Sequence, residues 1–288
     1  MSIHVVCSYI RAVRKDPHRL DPPYVEKKDY IPRQPGKSTY REYRAHPPEI
    51  RSLEVKKIHC LDHVVKRKKG SVGFEEHHST TRVERTRVFR ALANWDGGGD
   101  RMVVLKVTPA RKTISPDMHT YELWNREAIA YARLEKAGLS DAGYVPHCYG
   151  WYQFPTSWAT DPSFSLLSAH PRMATLVDSE TPPRALLIEY LEGASPISPW
   201  NITLDIAHEA LRRLSEIHYV GILHCDVYPR NLLVTKAGQP VWIDFGISHV
   251  SPDYQVRRGS QVEEHESVCS ILFEHLVSSS LNGLNVIS

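Results

Sequence analysis

Apolar residues recur along the chain first at strand spacing and then at helix spacing. The runs Arg82–Ala93 (RVERTRVFRALA) and Arg101–Val107 (RMVVLKV) flank the turn Asp96-Gly97-Gly98-Gly99-Asp100 and predict two strands of a meander. Ser115-Pro116-Asp117 carries a helix start: Ser as N-cap, Pro at the first helical position and an acid in the first turn. The helix it predicts runs to Lys136, stops at Gly138 and places Glu127, Tyr131 and Leu134 on one face. Tyr144–Tyr152 (YVPHCYGWY) suits a turn and a strand, and Ala185–Gly193 (ALLIEYLEG) a strand ending in a loop. From Thr203 to Tyr219 the apolar positions Leu204, Ala207, Leu211 and Leu214 keep helical spacing up to Gly221. Two short apolar strands, Leu232-Leu233-Val234 and Val241-Trp242-Ile243, are joined by Lys236-Ala237-Gly238-Gln239, which predicts a hairpin. A last helix is expected from Glu264 to Val277.

Two stretches lack this patterning. Residues 1–61 are rich in Pro, Lys and Arg without a sustained period, so they bury too little apolar area to offset their ordering entropy and predict an unstructured leader. Residues 154–183, about thirty in number, are rich in Pro, Ser and Thr, longer than a usual connection, and predict an inserted surface loop.

Composition adds bounds. With 288 residues, 41% of them apolar, the chain can form one large or two small domains. No window matches a membrane span, and the start MSIHVVCSYIRAVRK has too short an apolar run for a signal peptide, so an intracellular protein of cytoplasm or nucleus is expected. The five cysteines are scattered and form no C-x-x-C pair, indicating neither a disulfide framework nor a zinc site. Residues 1–70 hold 17 Lys and Arg against 8 Asp and Glu, leaving 19 against 25 for the remainder, so the basic character is local. Lys66-Arg67-Lys68-Lys69 reads as a solvated basic face ahead of a nucleic-acid contact, and no nucleic-acid partner is indicated.

The chemistry concentrates in Ile222–Ser248, where Asp226, Asn231 and Asp244 stand in apolar surroundings that normally exclude them. The hairpin brings its two ends together, so Asp226 and Asn231 before the first strand lie near Asp244 after the second. Carboxylates with an amide carbonyl are hard donors suited to Mg²⁺. The plainer alternative is a buried hairpin with incidental acids at its mouth. Lys106, inside VVLKV, either snorkels to the surface or meets a buried anion.

These residues resemble a family. His224-Cys225-Asp226 with Asn231, followed by Asp244-Phe245-Gly246, is similar to the H-x-D-x-x-x-x-N catalytic loop and D-F-G metal loop of protein kinases. VVLKV resembles the kinase strand whose lysine holds the α- and β-phosphates of ATP, and Glu127 resembles the helix glutamate that pairs with it; Glu122 competes, and Glu127 is preferred because it leads the apolar face. ALLIEYLEG looks like the kinase hinge, where Ile188 would border the adenine and backbone groups of Glu189 and Leu191 would bond it. Three features depart from the pattern. If Val88 takes the valine of the glycine-rich loop, its glycine positions fall on Thr81, Val83 and Thr86; Cys225 replaces the arginine of H-R-D; and no A-P-E follows D-F-G. The shortened pattern is most similar to the divergent protein-kinase-like proteins of fungi and looks distantly like the aminoglycoside and choline phosphotransferases.

The resemblance implies an α+β, two-lobed protein-kinase-like fold with a reduced C-terminal lobe: an N-lobe over residues 62–191 and a short C-lobe over 192–288. It implies transfer of the ATP γ-phosphate to a hydroxyl, with protein Ser/Thr as leading acceptor. Asp226 would orient the acceptor, Asn231 and Asp244 would hold Mg²⁺, and Lys106, positioned by Glu127, would hold phosphates. Arg230 would meet phosphate or face solvent, and His224 would brace the loop. The alternatives are a nucleotide-binding pseudokinase and a small-molecule kinase.

Overall fold

Strand β1 (Leu53–Cys60), β2 (Arg87–Trp95) and β3 (Arg101–Thr108) form an antiparallel meander in the computed structural model, which describes residues 46–61, 86–110, 123–251 and 256–280. Helix α1 spans Leu123–Lys136, followed by β4 (Cys148–Gln153), the short helices α2 (Ser165–Ser168) and α3 (Ala174–Val177), and β5 (Arg184–Glu189). The sheet runs β1-β2-β3-β5-β4, so β5 pairs antiparallel with β3. After it come β6 (Ser195–Pro196), α4 (Leu204–Tyr219), β7 (Ile222–Leu223), β8 (Leu232–Val234), β9 (Pro240–Trp242), β10 (His249–Val250), α5 (Arg258–Cys269) and a π-helix over Ser270–Val277. The class is α+β. The described residues divide into two compact units: a sheet unit within Pro48–Trp124 and Tyr149–Tyr190, and a mainly helical unit within Asn125–Cys148 and Leu191–Ser288.

In the sheet unit, period-two alternation sorts β3 into two faces. Val103, Leu105 and Val107 point with Phe89, Ala91, Ala185 and Leu187 into one buried cluster. Lys106 points the other way, opposite Val88 on β2 and Leu186 on β5. The expectation of an unstructured leader up to Leu61 fails at its end, because LEVKKIHC forms β1: Leu53 and Val55 alternate with polar residues and join the cluster. Residues 1–45 lie outside the described residues.

The stretch expected as an inserted surface loop is instead part of the core. Phe154, Trp158, Phe164, Leu167, Met173 and Leu176 are each at most 2% exposed and cover the sheet face opposite Lys106. Its polar composition hides a sparse apolar set that folds as successive short helical turns. Asp161 caps Ser163 N–H at 2.8 Å, and the Phe164 and Trp158 rings stand 5.0 and 5.4 Å from Phe154. Arg87 then fastens the segment to β2 by donating to the Arg172 carbonyl at 3.1 Å and the Thr175 hydroxyl at 2.7 Å.

In the helical unit, α4 starts where the pattern places it: the Thr203 hydroxyl accepts the Ile206 N–H at 3.2 Å. Its apolar face backs the β8–β9 hairpin. Trp242 Nε1 donates to the Ala210 carbonyl at 3.0 Å, and buried Arg213 donates to Glu209 at 2.7 Å, the Gly143 carbonyl at 2.7 Å and Gln239 Oε1 at 2.5 Å. Helix α1 ends at Lys136 as expected, with Gly138 left-handed at φ 75° just beyond it; its Ser115 start lies outside the described residues. The last helix begins earlier than the sequence suggests, at Arg258 rather than near Glu264.

Candidate functional site

The predicted hairpin delivers its acids as the pattern requires. Leu232 pairs with Trp242 and Val234 with Pro240, and the Ile243 N–H continues the ladder by donating to the Asn231 carbonyl at 3.0 Å. Asn231 and the residue preceding Asp244 are therefore direct neighbours. Asn231, 3% exposed, uses its side-chain nitrogen on the loop ahead of it, donating to Asp226 Oδ2 at 2.7 Å and the Asp226 carbonyl at 2.8 Å. With Nδ2 spent on Asp226, the amide oxygen is the atom left for a cation.

His224 braces this loop. The Asp226 N–H can only donate, and it meets Nδ1 at 3.3 Å; the Ile243 carbonyl can only accept, and it meets Nε2 at 3.0 Å. The ring is thus neutral with its proton on Nε2. Full burial pushes its pKa down, outweighing the nearby Glu264, Asp244 and Asp226 charges. It packs at a tilt against Trp242 and Phe245, centroids 5.4 and 4.7 Å away, and Phe245 meets Tyr131 of α1 edge-on at 5.5 Å.

Two residues at the site are held left-handed without being glycine: Cys225 at φ 65° and Asp244 at φ 66°. Such positions cost on the order of 1–3 kcal/mol and persist only where the surroundings over-determine them. For Cys225 the restraint is Glu264 of α5, a residue that sequence reasoning did not single out. Its carboxylate accepts the Cys225 N–H at 2.6 Å and the His224 N–H at 3.1 Å, and it pairs with His218 Nε2 of α4 at 2.6 Å. Burial raises the Glu264 pKa, but His218 and the two backbone donors outweigh it and hold the carboxyl below its usual range. One acid on a helix near the end of the described chain thereby fixes the backbone on either side of the His224-Cys225 peptide. No motif flags it, since the loop groups it holds are backbone N–H groups.

Glu127 is buried at 3% exposure in the same unit, and its Oε2 lies 3.8 Å from where a Cβ on Gly246 would stand. The Asp244 Oδ1 lies 3.4 Å from that point, so Gly246 sits beside both acids. Tyr131 shares this corner: burial, then the Glu127 charge, raise its pKa well above the ordinary phenol value. The helical unit therefore gathers Asp226, Asn231, Asp244 and Glu127. Leu191 belongs to the same unit, accepting the Ala194 N–H at 3.2 Å in the turn at Gly193.

The other expected residues belong to the sheet unit. Lys106 is 7% exposed, and Ile188 and Glu189 lie on β5 opposite Val104 and Val103. Lys106 and Ile188 share the face opposite the aromatic cluster.

Arg230 meets Asp226 rather than solvent alone. Its Nη2 donates to both carboxylate oxygens, at 2.7 and 2.9 Å, while its guanidinium carbon stands 4.5 Å from the Tyr228 ring centre. Cys225 Sγ donates to the Leu223 carbonyl at 3.5 Å, and burial pushes its thiol up to about 11, so it is an inert structural thiol.

Among the described residues no three His, Cys, Asp or Glu side chains cluster to hold a metal ion. Asp244 and the Asn231 amide oxygen nonetheless fit Mg²⁺, which is usually held by one or two protein oxygens with phosphates and water completing its shell. Among the described residues no helix is long and apolar enough to cross a membrane.

Comparison with known proteins finds similarity over part of the chain. No protein-family model matches. A protein described as a probable serine/threonine-protein kinase of Dictyostelium discoideum is 35% identical over 80 residues, 26% of this chain and 12% of that protein. Serine/threonine-protein kinase PknK of Mycobacterium tuberculosis is 38% identical over 60 residues, 21% of this chain and 5% of its own length. A serine/threonine-protein kinase of Corynebacterium efficiens is 31% identical over 85 residues, 27% of this chain and 16% of its own. The chain thus spans less than a sixth of each of these relatives' lengths, and the similarities support a kinase-like relationship confined to a quarter of the chain.

Proposed function

We propose that the protein is an ATP-dependent phosphotransferase of two-lobed, protein-kinase-like fold that transfers the γ-phosphate to a hydroxyl. One observation carries this reading: the Asn231 side chain fixes Asp226 through its nitrogen and so reserves its oxygen for a cation. That division of labour within one amide supports Asp226 as the group that orients the acceptor hydroxyl, and Asn231 with Asp244 as the candidates for Mg²⁺. Bound Mg²⁺ would neutralise charge on the transferring phosphates. Lys106, buried on its strand, is the candidate for the phosphates, and Glu127 for its positioning. Ile188 and the backbone of Glu189 and Leu191 are candidates for the adenine. A protein Ser/Thr hydroxyl is the leading acceptor class, as in the partial relatives.

Radiolabelled ATP turnover with generic protein acceptors, compared with Asp226→Asn, tests the reading. A loss on the order of 10² to 10⁴ in rate supports it; equal background in both proteins leaves a nucleotide-binding module without catalysis. That second reading is favoured by Thr86, which stands where a glycine-rich phosphate loop would carry its third glycine.

A further inference from the structure

The contact between Arg230 and Asp226 uses less of the arginine than the residue offers. A guanidinium carries five N–H donors. Here a single nitrogen, Nη2, serves both oxygens of the carboxylate, which leaves the donors of Nε and Nη1 over. The side chain is 61% exposed, and the plane is steadied by Tyr228, itself 56% exposed, with the cation 4.5 Å from the ring centre. Charge neutralisation of Asp226 alone needs neither the aromatic platform nor the donors of Nε and Nη1. With Nη2 engaged, each of those nitrogens offers a single charge-assisted hydrogen bond, and in a side chain 61% exposed such a donor can meet a carboxylate or phosphate.

We infer that Arg230, laid against Tyr228, reads a negative charge on the acceptor: the hydroxyl that Asp226 orients belongs to a molecule bearing a carboxylate or phosphate close to that hydroxyl. The inference rests on the phosphotransfer reading and names its substrate class. Because Arg230 also covers both Asp226 oxygens, the arriving anion draws part of the guanidinium charge away from the carboxylate as the hydroxyl comes to it. Anion capture and exposure of the acceptor-orienting group are one event. Spacing fixes the reach: Asp226 and Arg230 are four residues apart across the turn Pro229–Asn231 and in direct contact, so the acceptor's anion lies within one residue of a serine hydroxyl or on the same small molecule.

The test uses the full chain with MgATP and acceptors differing in one charge: serine peptides with Glu, Gln or Lys beside the serine, and glycerol 3-phosphate against glycerol. The peptide and small-molecule arms separate the two sources of the anion. Wild type is expected to favour the anionic acceptor in kcat/KM by about tenfold, the size of one charge-assisted hydrogen bond. Arg230→Gln should bring the ratio to about one, and Arg230→Lys, which keeps the charge without the fork, should restore part of it. Peptides with Ala in place of the serine, titrated calorimetrically, should show the same charge preference in affinity. Equal use of charged and neutral acceptors by wild type, or a preference surviving Arg230→Gln, overturns the inference and leaves phosphotransfer standing. ATP turnover no higher than that of Asp226→Asn with every acceptor removes the phosphotransfer reading and the inference with it.

Discussion

The residues of the candidate site depend on one carboxylate that contacts none of the groups proposed for chemistry. Glu264 is 6% exposed and accepts from His218 and from two successive backbone N–H groups. Removing one partner of a buried, hydrogen-bonded pair leaves the rest uncompensated, which costs about 3–5 kcal/mol. Glu264→Ala should lower the unfolding free energy in urea by that amount and release Cys225 from its left-handed conformation. Loss of the restraint is readable at Cys225 itself, whose thiol, pushed up to about 11 by burial, should react with iodoacetamide far more slowly than an exposed cysteine. In Glu264→Ala that alkylation should accelerate under native conditions; an unchanged rate would show that the loop is held by other contacts. At this scale the sequence displays Asp226, Asn231 and Asp244 because polar side chains in apolar surroundings are conspicuous. It conceals Glu264, one of several acids in RGSQVEEHESVC, because a bond to backbone imposes no residue type on its partner.

Among elements, strands and helices with strong periodicity stand where the pattern places them: β2, β3, β5, α4 and the β8–β9 hairpin. The segment 154–183 does not, and the reason is physical. Its apolar residues are spaced irregularly because it folds as isolated turns of three or four residues, none long enough to show a period. Burial there is nonetheless deep: Phe164 is 1% and Trp158 2% exposed against Phe154. Phe164→Ala or Trp158→Ala should therefore cost about 3–5 kcal/mol in urea unfolding, whereas an exposed loop would lose under about 0.5. The Thr203 cap is a smaller item: Thr203→Ala should cost about 1 kcal/mol. Strand β1 escaped the sequence reading for a related reason. It is one short alternating run adjoining Pro- and Arg-rich sequence, and its partner β2 begins 27 residues after it ends (Cys60 to Arg87), so no local turn announces the pairing.

For the molecule as a whole, buried His224 and the partly buried His208, His249 and His265 set how stability varies with pH. Burial lowers the pKa of His224, His208 and His249, and takes His265, which hydrogen-bonds the Ser215 hydroxyl at 3.0 Å, down to about 3. The unfolded chain protonates these rings near pH 6.5 while the folded protein resists. Their contribution is thus fully present above about pH 6.5 and is lost as pH falls toward the folded values. Glu264, held below its usual range, has the same sign in a lower window: its contribution is present above about pH 4.3 and lost as the carboxyl protonates. The urea midpoint should consequently fall between pH 7 and 5, before any carboxylate is affected, and fall further below about pH 4.5. His265→Gln should flatten the first limb and spare the second. A midpoint constant from pH 7 to 5 would mean that these rings are reached by water in the folded protein. Nucleotide acts on the same equilibrium from the other side: MgATP at a hundred times its dissociation constant should add about 2.7 kcal/mol. That gain should be lost in Asp244→Asn, and its retention there would remove Asp244 from the proposed nucleotide site.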